Sequence, residues 1–199
     1  SMTEIEPGGQ SMMEAIHIAR RLEQAGVNML HLSNGTLETF WKTVTPDGTP
    51  QCVNSELSQV LKDAIHIPVG VIGRNSEPWA VEQVLELGRT DVVYMGRALL
   101  CDPEFPNKLK EGRTEDIRPC IGCTDCITHV QGPGAHCTMN PFVGREGEPE
   151  PKAEPSRKVL VVGGGAAGLQ AATAAARRGC QVTLLEESGQ LGGQMFLAG

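Results

Sequence analysis

The first 112 residues alternate between two hydrophobic periods. In "SMMEAIHIARRLEQAG" (11–26), Met12, Ile16, Ala19 and Leu22 recur at spacings of three and four, which predicts an amphipathic helix capped by Ser11 and stopped at Gly26. "VNMLHLS" (27–33) is an apolar run of strand length. The helical period returns in "NSELSQVLKDA" (54–64) through Leu57, Val60, Leu61 and Ala64, with Asn54 or Ser55 at the cap, and "IPVGVI" (67–72) supplies a second strand. "SEPWAVEQVLELG" (76–88) predicts a third helix, opened by Ser76 and Pro78 and closed by Gly88, with the strand "DVVYM" (91–95) directly after it. A last helix is predicted from "CDPEF", with Asp102 as its cap, Pro103 in the first helical position and Gly112 as its stop.

Short strands separated by helices are the mark of βαβ units, and therefore of an α/β fold on a parallel sheet. A complete (β/α)8 barrel takes on the order of 250 residues, so this segment has room for only part of one. From Arg113 to Ser156 the alternation stops; thiols gather here, followed by "NPFVGREGEPEPKAEPS", whose Pro, Gly and Glu content predicts an exposed loop and linker. Periodicity returns in "KVLVVGGGAAGLQAATAAARRGCQVTLLEE" (158–187), a single strand–helix–strand unit. Two strands enclose too little core to stand alone, so the sequence is expected to be cut from a longer protein at this end. Three regions follow: 1–112, 113–156 and 157–199. Half a barrel is expected to expose unpaired strand edges and apolar faces, and the chain to be poorly soluble or to aggregate when expressed by itself.

Composition changes the picture mainly by exclusion. With 40% apolar and 21% charged residues the chain is of ordinary globular type, with no membrane-spanning run and no secretory leader in "SMTEIEPGG". The expected setting is the reducing cytoplasm, where seven cysteines, odd in number and mostly clustered, point to metal or redox chemistry and away from a disulfide framework. A net charge of −7 and few aromatic residues leave no basic field or stacking platform for a nucleic acid. The expected partner is a small-molecule substrate, with self-association of the longer protein left open.

Three groups of residues are candidates for chemistry. In "VVGGGAAG", Gly163 suits the tight turn after a strand, Gly165 the approach of backbone to a pyrophosphate, and Gly168 close helix–strand packing. Glu186, 18 residues beyond Gly168 at the end of the next strand, is placed to accept from ribose hydroxyls, with Glu187 as the lesser candidate. Cys120, Cys123, Cys126 and Cys137 form Cys-x2-Cys-x2-Cys-x10-Cys, which suits tetrahedral zinc or a [4Fe–4S] cluster; three close cysteines with a remote fourth favour the cluster, and a neighbouring dinucleotide loop favours it further. His129 and His136 are expected to be solvated loop histidines, and Cys52, Cys101 and Cys180 to be isolated structural thiols. The third group ends two strands alike: "VGVIGRN" and "VVYMGRA" place Arg74, Gly96 and Arg97 at the carboxyl edge of a parallel sheet, where they either grip a mononucleotide phosphate or pair with acids at the rim.

With these residues in view, the chain resembles the multidomain branch of the Old Yellow Enzyme-like NADH:flavin oxidoreductases, the group containing 2,4-dienoyl-CoA reductase and trimethylamine dehydrogenase. The resemblance rests on "IPVGVIGRN", "DVVYMGRALLCDPEFPNKLKEGR", "IRPCIGCTDCI", "CTMNP", "KVLVVGGGAAGLQAA" and "LGGQ", in family order. It implies that residues 1–112 are the later strands of an FMN-binding TIM barrel, with Arg74 on the FMN and Gly96 and Arg97 on its phosphate. It also implies that the four cysteines hold [4Fe–4S] and that Gly163 to Glu186 open a Rossmann-like domain for FAD or ADP. The whole protein would pass electrons between NAD(P)H, FAD, the cluster and FMN, as an ene-reductase or an amine dehydrogenase; its acid–base residues would precede Ser1. The two-residue second gap in the thiol run is that of the amine dehydrogenase type. The competing reading is a zinc-stabilised nucleotide-binding module without redox activity.

Overall fold

The computed structural model describes residues 1–129, 132, 134–148, 152–153 and 157–197. The chain divides into two compact units, Ser1–Arg145 and Glu146–Gly199. Both are α/β and both are built on parallel strands.

In the first unit, helix α1 (Met12–Gln24) opens with a complete capping box: Ser11 Oγ accepts from the Glu14 N–H, and the Glu14 carboxylate accepts from the Ser11 N–H. Such a cap contributes about 1 kcal/mol. Ala15, Ile16 and Ala19 are its buried face, and Gly26, at φ +94°, turns the chain into strand β1 (Leu30–Leu32). Leu22, predicted to belong to the buried stripe, is 40% exposed. After the short helix α2 (Phe40–Thr43), helix α3 (Ser55–Lys62) leads to β2 (Val69–Val71), and helix α4 (Pro78–Glu86) to β3 (Val92–Val93).

The three strands lie parallel in the order β1-β2-β3, with Leu30 opposite Val69 and Gly70 opposite Val92. The central strand is wholly buried, as expected of a parallel strand covered on both faces. Leu32, Val69 and Val71 join Ile16, Ala19, Leu61 and Ile65 in one apolar cluster. A side chain at Gly70 would collide with the Tyr94 ring, which is why the middle of β2 carries none.

The end of this unit departs from the predicted helix. A short helix α5 (Arg97–Cys101) follows β3, and Asp102 closes it instead of opening the next one, α6 (Phe105–Lys110), where Pro106 and not Pro103 occupies the first turn. Asp102 has other work: its nearly buried carboxylate accepts from the Lys108 ammonium at 2.6 Å and from the backbone N–H of Arg118 at 2.8 Å. Burial pushes its pKa up, but Lys108 and the N–H donors prevail and hold it below the usual carboxylate value. This tie fixes the entry of the cysteine segment against α5. A 3-10 turn (Thr114–Asp116) and helix α7 (Asp125–Thr128) complete the unit.

The second unit is β4 (Lys158–Val162), helix α8 (Ala166–Arg177) and β5 (Gln181–Leu185), with the strands paired in parallel from Lys158↔Gln181 to Val162↔Leu185. Helix α8 packs on one face of the pair; Leu160, Val162 and Leu185 stand 52–78% exposed. The predicted linker lies partly outside the described residues, at 149–151 and 154–156.

Candidate functional site

The turn after β2 puts two consecutive residues in conformations with positive φ, Gly73 at +147° and Arg74 at +51°. A side chain on Gly73 would strike Asn54, whose amide donates to the Ile72 carbonyl at 2.7 Å, so the turn is locked from below. The next residue, Asn75, is buried and donates to the carbonyls of Val71 and Tyr94, tying the ends of β2 and β3 together. The two strand ends open into one cavity whose lining includes Thr45, Arg74, Asn75, Gly96, Arg97 and Cys120.

The two arginines differ. Arg74 donates to the carbonyls of Pro46 and Thr49 and pairs with Asp47 at 2.6 Å, which is the rim pairing weighed for it; the guanidinium holds the Asp47 carboxyl below its usual range. Among the described residues Arg97 has no such acid: one terminal nitrogen donates to the Thr45 carbonyl and hydroxyl at 2.6 and 3.1 Å, and the other is buried without a partner there. Arg74 Nε and Asn75 Oδ1 are likewise buried and unpartnered. Leaving a buried polar group unpaired costs about 1–3 kcal/mol, so three orphaned atoms around one cavity fit a charged, hydrogen-bonding ligand such as a flavin mononucleotide. Gly96 leaves open space where a side chain would begin.

Beyond this cavity lies a second chamber, lined by Arg97, Leu100, Cys101, Ile121, Thr124 and all four predicted metal ligands, Cys120, Cys123, Cys126 and Cys137. The loop reaches this shape through left-handed residues at Gly122 (φ +70°) and Thr124 (φ +60°), after which α7 carries Cys126 inward. Among the described residues, no three His, Cys, Asp or Glu side chains converge closely enough to hold a single ion. The four thiols line one space, a donor set of the kind that holds either a tetrahedral zinc or a [4Fe–4S] cluster.

His129 and His136 do not line the chamber. They bracket Asp125, at 3.3 and 2.7 Å, and both remain about half exposed. Cys101 is not the isolated thiol that its place in the sequence suggested. It is fully buried, donates to the Pro119 carbonyl at 3.3 Å, and shares the chamber with the other four. Burial, with the sulfurs of Cys137 and Cys120 beside it, pushes its pKa up to about 12. Its distance in sequence, 19 residues before Cys120, hid it from spacing arguments. Cys52 matches the structural reading: it is buried, and desolvation raises it to about 11.

In the second unit, Gly163 (φ +100°) turns the chain out of β4, and Gly168 sits where a methyl group would run into the Gly163 carbonyl oxygen. Gly165 is the N-cap of α8, with no side chain capping the helix, so the first-turn N–H groups face a groove lined by Gly163, Gly165, Gly168, Gly192 and Gly193. Sequence spacing did not single out Gly192, whose N–H donates to the Gly164 carbonyl at 2.8 Å. Glu186 turns inward to its own loop: it accepts from the Gly164 N–H and from the Ser188 N–H and hydroxyl, and these bonds hold its pKa down at about 2.

The first unit thus carries a strand-end cavity with buried, unpaired donors and a thiol chamber beside it, and the second unit a glycine-lined groove. Residues 1–116 match the NADH:flavin oxidoreductase / NADH oxidase family and residues 158–199 the FAD dependent oxidoreductase family. The chain belongs to the NADH:flavin oxidoreductase / NADH oxidase family. It is 43% identical to an NADH oxidase of Thermoanaerobacter brockii over 203 residues, covering 100% of this chain and 31% of that protein. Among solved structures it is similar to a 2-naphthoyl-CoA reductase complex (TM-score 0.80, 32% identity, 96% of this chain and 30% of that one). It is equally similar to histamine dehydrogenase from Rhizobium sp. 4-9 (TM-score 0.80, 31% identity, 98% and 29%). The chain thus spans less than a third of the length of these relatives. Among the described residues no helix is long and apolar enough to cross a membrane.

Proposed function

We propose that this chain is the electron-relay portion of an NAD(P)H-dependent flavoprotein oxidoreductase, holding FMN and a [4Fe–4S] cluster in its first unit and the start of a Rossmann-like FAD or ADP site in its second. The observation that carries the reading is that Arg97, Leu100 and Cys120 line both the strand-end cavity and the thiol chamber. A cofactor in one is therefore separated from a cofactor in the other by single side chains.

Within this reading Arg97 binds the FMN phosphate through its free nitrogen, Gly96 lets that phosphate approach the backbone, and Arg74 and Asn75 offer their unpaired atoms to the flavin. Cys120, Cys123, Cys126 and Cys137 hold the cluster. Gly163, Gly165 and Gly168 cradle a pyrophosphate, and Glu186 orders the loop from which it receives ribose hydroxyls. When bound, the flavins and cluster supply one- and two-electron transfer between a nicotinamide and a small-molecule substrate, either an activated alkene or an amine.

Anaerobic reduction by NADH or NADPH of the protein with its native flanking sequence tests this. In the wild type the FMN absorbance is expected to bleach within turnover time, and in C126A, which lacks a cluster ligand, at least about 100-fold more slowly. Equal rates would remove the relay. A zinc-stabilised module would show no reducible chromophore at all.

A further inference from the structure

Thr45 to Thr49 form a short strap that both arginines of the strand-end cavity grip and on which the cysteine loop rests. Arg97 holds its first residue through the Thr45 carbonyl and hydroxyl, and Arg74 holds the rest through the carbonyls of Pro46 and Thr49 and the carboxylate of Asp47. On its other side the strap reaches the metal-ligand segment: the Asp47 N–H donates to the Gly122 carbonyl at 3.0 Å, and Gly122 lies between Cys120 and Cys123. The contact is close. A side chain on Gly122, which has φ +70°, would begin 3.0 Å from the Asp47 nitrogen and 3.2 Å from its Cα. Asp47 is therefore a node, with its carboxylate on a cavity arginine and its N–H on the cysteine loop, while it lines neither the cavity nor the chamber.

We infer that the Thr45–Thr49 strap couples the two sites, so that FMN in the strand-end cavity and a metal centre in the thiol chamber each tighten the binding of the other. The inference rests on the reading of the cavity as an FMN site. Each arginine spends part of its fork on the strap and keeps one buried nitrogen, Arg74 Nε or the second terminal nitrogen of Arg97, without a partner among the described residues. A phosphate or flavin atom bonded to that nitrogen fixes the guanidinium, and the guanidinium fixes the strap. The Gly122 carbonyl then meets a donor already held in place, and less freedom is lost when the cysteines close on a metal centre. By linkage the effect is reciprocal: a metal centre that fixes the cysteine loop lowers the cost of ordering the arginines for FMN. Asp47, which joins the two halves of this chain of contacts, is a positioning residue.

The test titrates FMN, read by quenching of its fluorescence, into flavin-free protein with its native flanking sequence, in metal-loaded and chelator-stripped forms without oxygen. In the wild type the loaded form is expected to bind FMN at least about 5-fold more tightly than the stripped form. D47A, which removes the carboxylate but not the N–H, is expected to bring that ratio below about 2. D47N, whose amide oxygen still accepts from Arg74, is expected to keep most of it. A wild-type ratio near one, or a D47A ratio equal to that of the wild type, overturns the inference and leaves the FMN reading intact. If neither form of the wild type binds FMN, the FMN reading itself fails. Should stripping unfold the protein, the rate at which a chelator draws off the metal is compared with and without bound FMN. FMN is then expected to slow that rate at least about 5-fold in the wild type and less than about 2-fold in D47A. No slowing in the wild type, or equal slowing in D47A, overturns the inference.

Discussion

Arg97 and Cys126 line one chamber, and the guanidinium charge acts on the thiol: burial pushes the Cys126 pKa up, Arg97 pulls against it, and the sulfurs of Cys120, Cys137 and Cys123 add to the burial. The side chain proposed to hold a flavin phosphate thus also favours a thiolate next door. Replacing Arg97 by alanine is expected to lower FMN affinity about 100-fold, and by lysine about 10-fold, because a point charge cannot bond Thr45 and a phosphate at once. Flavin fluorescence released on denaturation measures the bound fraction.

Asp102 joins α5, α6 and the start of the cysteine loop through a buried ion pair. D102A is expected to destabilise the first unit by about 3–5 kcal/mol, since it strands Lys108 and the Arg118 N–H. The pH dependence has a fixed sign. The folded-state pKa is depressed below 3.8, so the stabilisation is complete above that value and is lost as pH falls through the lower folded value. Urea unfolding between neutral and acid pH is expected to show a steeper acid limb in the wild type than in D102N.

Gly168→Ala places a methyl group against the Gly163 carbonyl oxygen. The glycine loop must shift, with an expected cost of about 1–3 kcal/mol in stability and loss of adenine-dinucleotide binding by calorimetry. Gly165→Ala meets nothing within 4 Å and is expected to keep the fold while blocking the groove.

Leu160, Val162 and Leu185 form an apolar strip on the sheet of the second unit. Exposed strips of this kind drive association. The 199-residue chain expressed alone is expected to bind a hydrophobic dye and to sediment as oligomers, and L160T/V162T to reduce both.

Much of this architecture was legible in the sequence. The α1 cap, the β2 and β4 runs and the glycine loop each follow from local patterning that tertiary packing does not override. Asp102 misled because a cap signal cannot be told from an acid held by a lysine six residues on and an N–H sixteen residues on. Cys101 misled because metal-site spacing is read along the chain, whereas its neighbourhood is made by the fold of α5 against Pro119. Asn75 stood in plain view after Arg74, yet its role depends on two strand ends meeting.

The most direct measurement is the iron, acid-labile sulfide and zinc content of protein purified without oxygen. Four irons and four sulfides per chain are expected from the [4Fe–4S] reading. A colourless protein holding one zinc and no sulfide would contradict it.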